Sequence, residues 1–173
     1  MHNKYLLPLI SDLIHNLSNA HIYTKLNVWW GYNNVCICEG DENKAAFKTH
    51  YSLFEPTVMY FSLTNSLATF QMMINHIYWD IILKHKPLGV TIQVYMDDIG
   101  IATRTNMSGH IATVSDVLYI AKDELYFKPE KCMFHVPSMD YLGVILEKGV
   151  TRMDPIKIVG INTWPVPKNI IEV

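Results

Sequence analysis

The chain is short of charge and of cysteine, and it has no long apolar run. Only 17% of its 173 residues are charged and 50% are hydrophobic. Intrinsically disordered chains show the opposite balance, so a folded core is expected. Three cysteines, an odd number, supply no disulfide framework and fit a reducing, intracellular compartment. No apolar stretch approaches the ~18 residues that a membrane helix needs. The opening residues reach Pro8 and Asp12 too soon for the apolar core of a signal peptide. Internal repeats and low-complexity tracts are also absent. Lys and Arg total 14 against 16 Asp and Glu, a net charge of −2. Proteins that hold nucleic acid by themselves usually carry a basic surplus. Any such grip here has to come from clustered cations or from segments outside the chain.

What is present is strong local patterning. Leu9, Leu13 and Leu17, with Ile10 and Ile14, follow Pro8 at helical spacing and predict a short amphipathic helix. AHIYTKLNV reads as a strand and WGYNN as its turn-rich exit. VCICEGDENKAAFKT is expected to form a hairpin with Glu39 to Asn43 at its polar tip. Leu67, Phe70, Ile74, Ile77 and Ile81 line one helical face, opened by Thr64, Asn65 and Ser66 and stopped by Pro87 and Gly89. Ile111, Val114, Leu118, Ala121 and Leu125 mark another helix. KPEKC turns into the strand CMFHV, and YLGVIL and VTRM pair around Glu147-Lys148-Gly149. Asp154-Pro155 caps and opens a further helix, which Trp164 to Pro167 breaks before NIIEV begins the next. The order of elements describes an α+β fold with a mostly antiparallel sheet backed by helices.

The sharpest feature is Tyr95-Met96-Asp97-Asp98. Apolar strand residues, Ile92 and Val94 before it and Ile99 and Ile101 after it, put two adjacent carboxylates at a hairpin tip. Carboxylates so placed are natural ligands for Mg²⁺, a hard cation that takes oxygen donors. A pair of such ions stabilises both the attacking and the leaving oxygen of a phosphoryl displacement. An isolated Asp-Asp would only solvate a turn. The flanking strands make YMDD more specific than that.

In its ordered motifs the chain resembles the reverse transcriptase of gypsy-type LTR retrotransposons over nearly its whole length. KLNVWWGYNNV is similar to the family's first catalytic segment, usually LDVRWGYNNV, and FEPTVMYFSLTNSLATFQ to its FGLTNSPATFQ segment. YMDD matches the YxDD box, YLGVIL the primer-grip segment, and KPEKC and RMDPIK also match. The resemblance implies a polymerase palm over residues 1–153 with partial fingers, followed at 154–173 by the truncated start of the thumb or connection. It implies template-directed DNA synthesis on RNA or DNA, in which a primer 3′-hydroxyl attacks the α-phosphate of a deoxynucleotide with two Mg²⁺ ions. Asp97 and Asp98 fall on metal-binding carboxylates, the Val28 backbone carbonyl on a further ligand, and Asn27 on the family's other main metal Asp. Tyr32 falls on the residue that excludes a ribose 2′-hydroxyl, Ser66 and Gln71 on the nucleotide and template segment, and Leu142 and Gly143 on the primer grip.

The departures from that pattern carry as much information. Asn27 keeps the size of Asp but removes its charge, and an amide is a poor ligand for two Mg²⁺ ions. Ser52 and Ser62 replace glycines, Leu67 a proline, and Trp29, Cys36 and Cys38 basic residues. Most of the fingers, the thumb and the RNase H segment are expected to be missing. Asp→Asn at 27, Gly→Ser at 52 and 62, Pro→Leu at 67 and Arg→Trp or Cys at 29 and 36 are each one G·C to A·T transition. That is the mark of cytosine deamination in a silenced, pseudogene-like element. The alternative to an impaired polymerase is therefore a non-catalytic retroelement remnant. A nucleic-acid-binding module is disfavoured by the −2 charge. Cys36 and Cys38 lack a second pair at zinc spacing, the eight His form no ligand array, and Lys128, Lys131 and Lys148 suit contact with a nucleic-acid backbone no better than ordinary solvation. Trp29-Trp30 reads as a packed aromatic pair rather than a base-stacking platform.

Overall fold

Residues 3–104, 106–122 and 125–164 are described by a computed structural model. Helix α1 (Ile10–Ser18) buries Leu13 and Leu17, the inner pair of its apolar stripe. Strand β1 (Ile22–Trp29) alternates: Thr24, Leu26 and Val28 are buried on one face, and Lys25, Asn27 and Trp29 lie on the other. A 3-10 turn at Gly31–Asn34 follows. The segment expected to be a hairpin is not one. Cys36 makes a single bridge to Val58, and residues 42–45 close into another 3-10 turn. The short pair β2 (Phe47–Lys48) and β3 (Leu53–Phe54) lies beyond it. The polar run at 39–43 bonds to itself, with Gly40 N–H donating to Glu42 and Lys44 paired to Asp41, so it caps a turn instead of joining two strands.

Helix α2 (Ser66–His85) starts and stops where the sequence places it. Gly89, at φ 75°, ends the connection that follows. Strands β4 (Val90–Tyr95) and β5 (Asp98–Thr103) form the hairpin around the acid pair, and α3 (Met107–Ala121) starts at an Asn106 cap that accepts from Gly109 N–H. Leu125 lies beyond α3 yet stays buried. Then come β6 (Tyr126–Phe127), β7 (Met133–Val136), β8 (Ser138–Tyr141), β9 (Val144–Glu147) and β10 (Val150–Met153). Leu142-Gly143, at φ 49° and 88°, is a turn between β8 and β9, so YLGVIL is not one strand. Helix α4 (Pro155–Asn162) opens on Asp154, whose side chain accepts from Ile156 N–H at 2.9 Å. NIIEV and the Pro165–Pro167 break lie outside the described residues.

The main sheet runs β4-β5-β1-β6, with β7 also on β1, and β8, β9 and β10 form a second sheet. All pairings among the described strands are antiparallel. One face of the main sheet packs on α2 and α3 through Leu26, Ile99, Ile101, Phe70, Ile74 and Val117. His85 fastens those helices together, its Nε2 2.8 Å from Asp116 and its Nδ1 2.9 Å from Thr113 Oγ1. The other face packs at its Tyr23 end on α1 and the second sheet, through Leu13, Leu17, Met139, Tyr141 and Leu146. Its Asn27 end is left open, and the acid pair lies there.

Among the described residues no helix is long and apolar enough to cross a membrane. Trp30, Trp79, Tyr119 and Tyr126 each expose more than half of their surface. With a net charge of only −2 there is little repulsion to keep such surfaces apart. The isolated chain is therefore expected to self-associate. Light scattering at rising concentration checks this, and a sharp monomer peak throughout contradicts it.

Candidate active site

The site starts from a two-residue turn, Met96-Asp97, that closes β4 onto β5. Met96 sits at φ 51°, a left-handed conformation that costs a side-chain-bearing residue and persists only when its surroundings hold it. Gln71 of α2 does the holding. It is fully buried, its Oε1 accepts from Met96 N–H at 2.8 Å, and its Nε2 donates to the Val94 carbonyl at 3.1 Å and to Asn75 Oδ1 at 2.9 Å. From the other side, Val28 N–H donates to the Asp97 carbonyl at 2.7 Å. Gln71→Ala strands a buried amide and a buried carbonyl, and should cost about 2–4 kcal/mol of stability. Urea unfolding of the variant checks this; a loss below about 1 kcal/mol contradicts it.

The two carboxylates have different surroundings. Asp98 opens β5 opposite Asn27, and Asn27 Nδ2 donates to Asp98 Oδ1 at 2.9 Å. Asp97 Oδ1 is buried and has no hydrogen-bond partner. Burial raises the Asp97 pKa, the Asp98 charge raises it further, and Lys131 and Lys128 oppose the shift. Tyr32 packs edge-on to Phe61 and at 4.9 Å from Phe70, and its hydroxyl is pushed up to about 12 by burial and then by the charge of Asp97. Gly31 permits that packing, because a Cβ there would come within 2.4 Å of the Phe70 ring. Asn27, Val28, Tyr32, Asp97 and Asp98 are thus brought together at one open end of the sheet.

A profile of the family described as "Reverse transcriptase (RNA-dependent DNA polymerase)" matches residues 1–146. The chain belongs to the reverse transcriptase family. The Transposon Tf2-3 and Tf2-7 polyproteins of Schizosaccharomyces pombe are each 34% identical to it over 169 residues, in agreement with the gypsy-type retrotransposon resemblance. Those alignments cover 96% of this chain but 12% of each polyprotein. Among solved structures, the foamy viral protease-reverse transcriptase in complex with an RNA/DNA hybrid superposes with a TM-score of 0.85 at 18% identity, over 98% of this chain and 22% of that one. The same protein in complex with dsDNA gives 0.80 at 19% identity, over 95% and 34%. The fold is an α+β polymerase palm, as expected.

In this reverse transcriptase chain the other sequence-derived site residues lie at varying removes from the acid pair. Ser66 is buried at the start of α2, its hydroxyl donating to the Tyr60 carbonyl at 2.6 Å, so it braces the approach to the helix. Gln71 lies beneath the acid turn rather than on open surface. The Leu142-Gly143 turn reaches the site through its neighbour Tyr141, whose buried hydroxyl donates to the carbonyls of Gln93 at 3.3 Å and Asp98 at 3.4 Å. Sequence reasoning passed over Tyr141; its place before Leu-Gly in an otherwise apolar run was the available signal. The charge of Lys131 also reaches Asp97. Cys36 and Cys38 are exposed and apart from the site, and no group of three or more His, Cys, Asp or Glu residues is placed to hold a metal among the described residues.

Proposed function

We propose that this palm serves template-directed DNA synthesis from a primer on RNA or DNA, and that Asn27 leaves it impaired in that role. The observation that carries the proposal is the buried, unpartnered Asp97 Oδ1, an oxygen in want of a cation beside a second carboxylate. Asp97, Asp98 and the Val28 carbonyl suit one Mg²⁺ ion, a hard cation with oxygen ligands. They do not suit a pair. At Asn27 the atom turned toward Asp98 is an N–H donor, which takes up a lone pair of the carboxylate and brings no negative charge of its own. When bound, Mg²⁺ supplies positive charge against phosphate oxygens.

The protein groups then have distinct tasks. Gln71 and Val28 hold the turn so that Asp97 faces the open end of the sheet. Tyr32 presents aromatic bulk beside Asp97, suited to refusing a ribose 2′-hydroxyl. Ser66 and Gln71 brace the helix beneath nucleotide and template, and the Leu142-Gly143 turn lies toward a primer. Residues 1–153 make up the palm part, and 154–173 begin the following thumb or connection segment. Foamy viral reverse transcriptase is seen with an RNA/DNA hybrid and with dsDNA, which supports primer–template as this chain's partner. The second reading, a remnant without polymerase activity, is favoured by the hydrogen bond that Asn27 makes to Asp98.

Metal-dependent stability tests the assignment without relying on turnover. Asn27→Asp replaces a 2.9 Å donor–acceptor contact with two like charges, so the variant should melt below the parent in EDTA. Millimolar Mg²⁺ should restore it, and the parent, with one carboxylate fewer, should shift less than the variant. A variant whose melting temperature ignores Mg²⁺ removes the metal assignment.

A further inference from the structure

A second site lies at the opposite end of β4. Val90 begins that strand roughly 17 Å from Tyr95, at about 3.3 Å per residue. A cavity of about 480 Å³ opens there between α1, the C-terminal end of α2 and the edge of the sheet. Its polar wall is made by His15, Asn16, Asn19, Lys86 and Arg104. Among the described residues none that lines it is an Asp or Glu, although the chain as a whole is net acidic. Neither Lys86 nor Arg104 has an acidic partner among the described residues. Both cations therefore face the cavity with their charge uncompensated.

The backbone adds donors. β4 is an edge strand. The two-residue turn makes Tyr95 and Asp98 a hydrogen-bonded pair, so the ladder directs the amide and carbonyl of Ile92 away from β5, toward the open edge. The Val94 carbonyl, in the same phase, is taken by Gln71. Among the described residues no hydrogen bond engages the outward groups of Ile92, and Ile92 lines the cavity. Ile82, half-buried, adds an apolar side chain beside the cations. Two cations, the Ile92 amide and the apolar Ile82 side chain in a volume of this size match a phosphate ester carried on a flat organic group.

We propose that this cavity binds a phosphate ester of mononucleotide size, at a site separate from the acid pair. The phosphate lies between Lys86 and Arg104, and the organic group lies on Ile82 and the exposed edge of β4. The phosphate has two sources, a free nucleotide or the backbone of a nucleic acid.

Calorimetric titration of the whole chain in EDTA tests this, because without divalent metal the acid pair repels phosphates. The probes are 5′-AMP, inorganic phosphate and oligothymidylate. We expect 5′-AMP to bind with submillimolar affinity and more tightly than inorganic phosphate. The double variant Lys86→Ala, Arg104→Ala should weaken it at least about tenfold, while the exposure of both side chains leaves the circular dichroism spectrum unchanged. Asp97→Asn should leave the 5′-AMP affinity as it was. Competition by oligothymidylate, lost in the same double variant, supports the site with nucleic-acid backbone as the source; absence of competition supports it with free nucleotide as the source. No binding of 5′-AMP to the parent, or equal binding by the folded double variant, overturns the proposal.

Discussion

Primer extension by this chain with Mg²⁺ should not rise above a no-enzyme blank. The loss of one principal metal carboxylate is expected to cost at least a thousandfold in rate, which is about 4 kcal/mol of transition-state stabilisation. The geometry explains why the loss is large. Asn27 does not simply lack charge: its Nδ2 donates to Asp98 Oδ1 at 2.9 Å, so it occupies a lone pair that a cation would use. Burial and the neighbouring Asp98 charge also raise the Asp97 pKa, so its charged form is less favoured than that of an ordinary aspartate. Asn27→Asp should restore extension only in part. It returns the carboxylate but leaves Trp29, on the same face of β1, and Cys36 where the family resemblance places basic residues. Extension of a primed homopolymer by the unaltered chain sinks the prediction, and so does full recovery in the single variant.

Mild acid should destabilise the fold, and His110 should account for much of the effect. The ring is completely buried, with Nε2 2.8 Å from Thr24 Oγ1 and Nδ1 3.0 Å from Thr103 Oγ1. It ties α3 to both β1 and β5. Burial, and then the charge of His135, lowers its pKa from 6.5 to about 4. The folded state therefore refuses a proton that the unfolded chain accepts. The stability is fully present above pH 6.5 and is lost as the pH falls from there toward about 4, below which both states hold the proton. One pH unit in that window corresponds to about 1.4 kcal/mol, so the step from pH 7 to pH 5 should cost about 2 kcal/mol. Urea unfolding of the parent and of His110→Gln at both pH values isolates this share, since the other histidines are common to both proteins. Equal acid sensitivity in the two chains refutes it.

The helices α1, α2 and α3, the β4–β5 hairpin and the acid pair at its tip were legible in the sequence, because each is written in local periodicity. Apolar residues at spacings of three and four, or alternating by two, have few other ways to bury themselves. Asn27 stood out only through the family resemblance, which places a metal-binding Asp at that position. Two things were not. The expected hairpin over VCICEGDENKAAFKT became a bridge and a 3-10 turn, because Cys36 found a partner at Val58 and the Asp41–Lys44 pair satisfied the tip locally. YLGVIL broke at Leu142-Gly143, where two positive φ angles reverse the chain.

The larger difference concerns who touches whom. Sequence alone could not reveal that Gln71 holds the acid turn from beneath, that Tyr141 braces the carbonyl of Asp98, or that Asn27 donates to Asp98. These contacts join residues 25, 43 and 71 positions apart. The cation-lined cavity likewise gathers residues from α1, α2, β4 and the segments that follow α2 and β5. Periodicity decides which face of an element is buried. Only the packing of the sheet against its helices decides which polar groups then meet, because a buried amide or carboxylate takes whatever partner the tertiary structure places within reach.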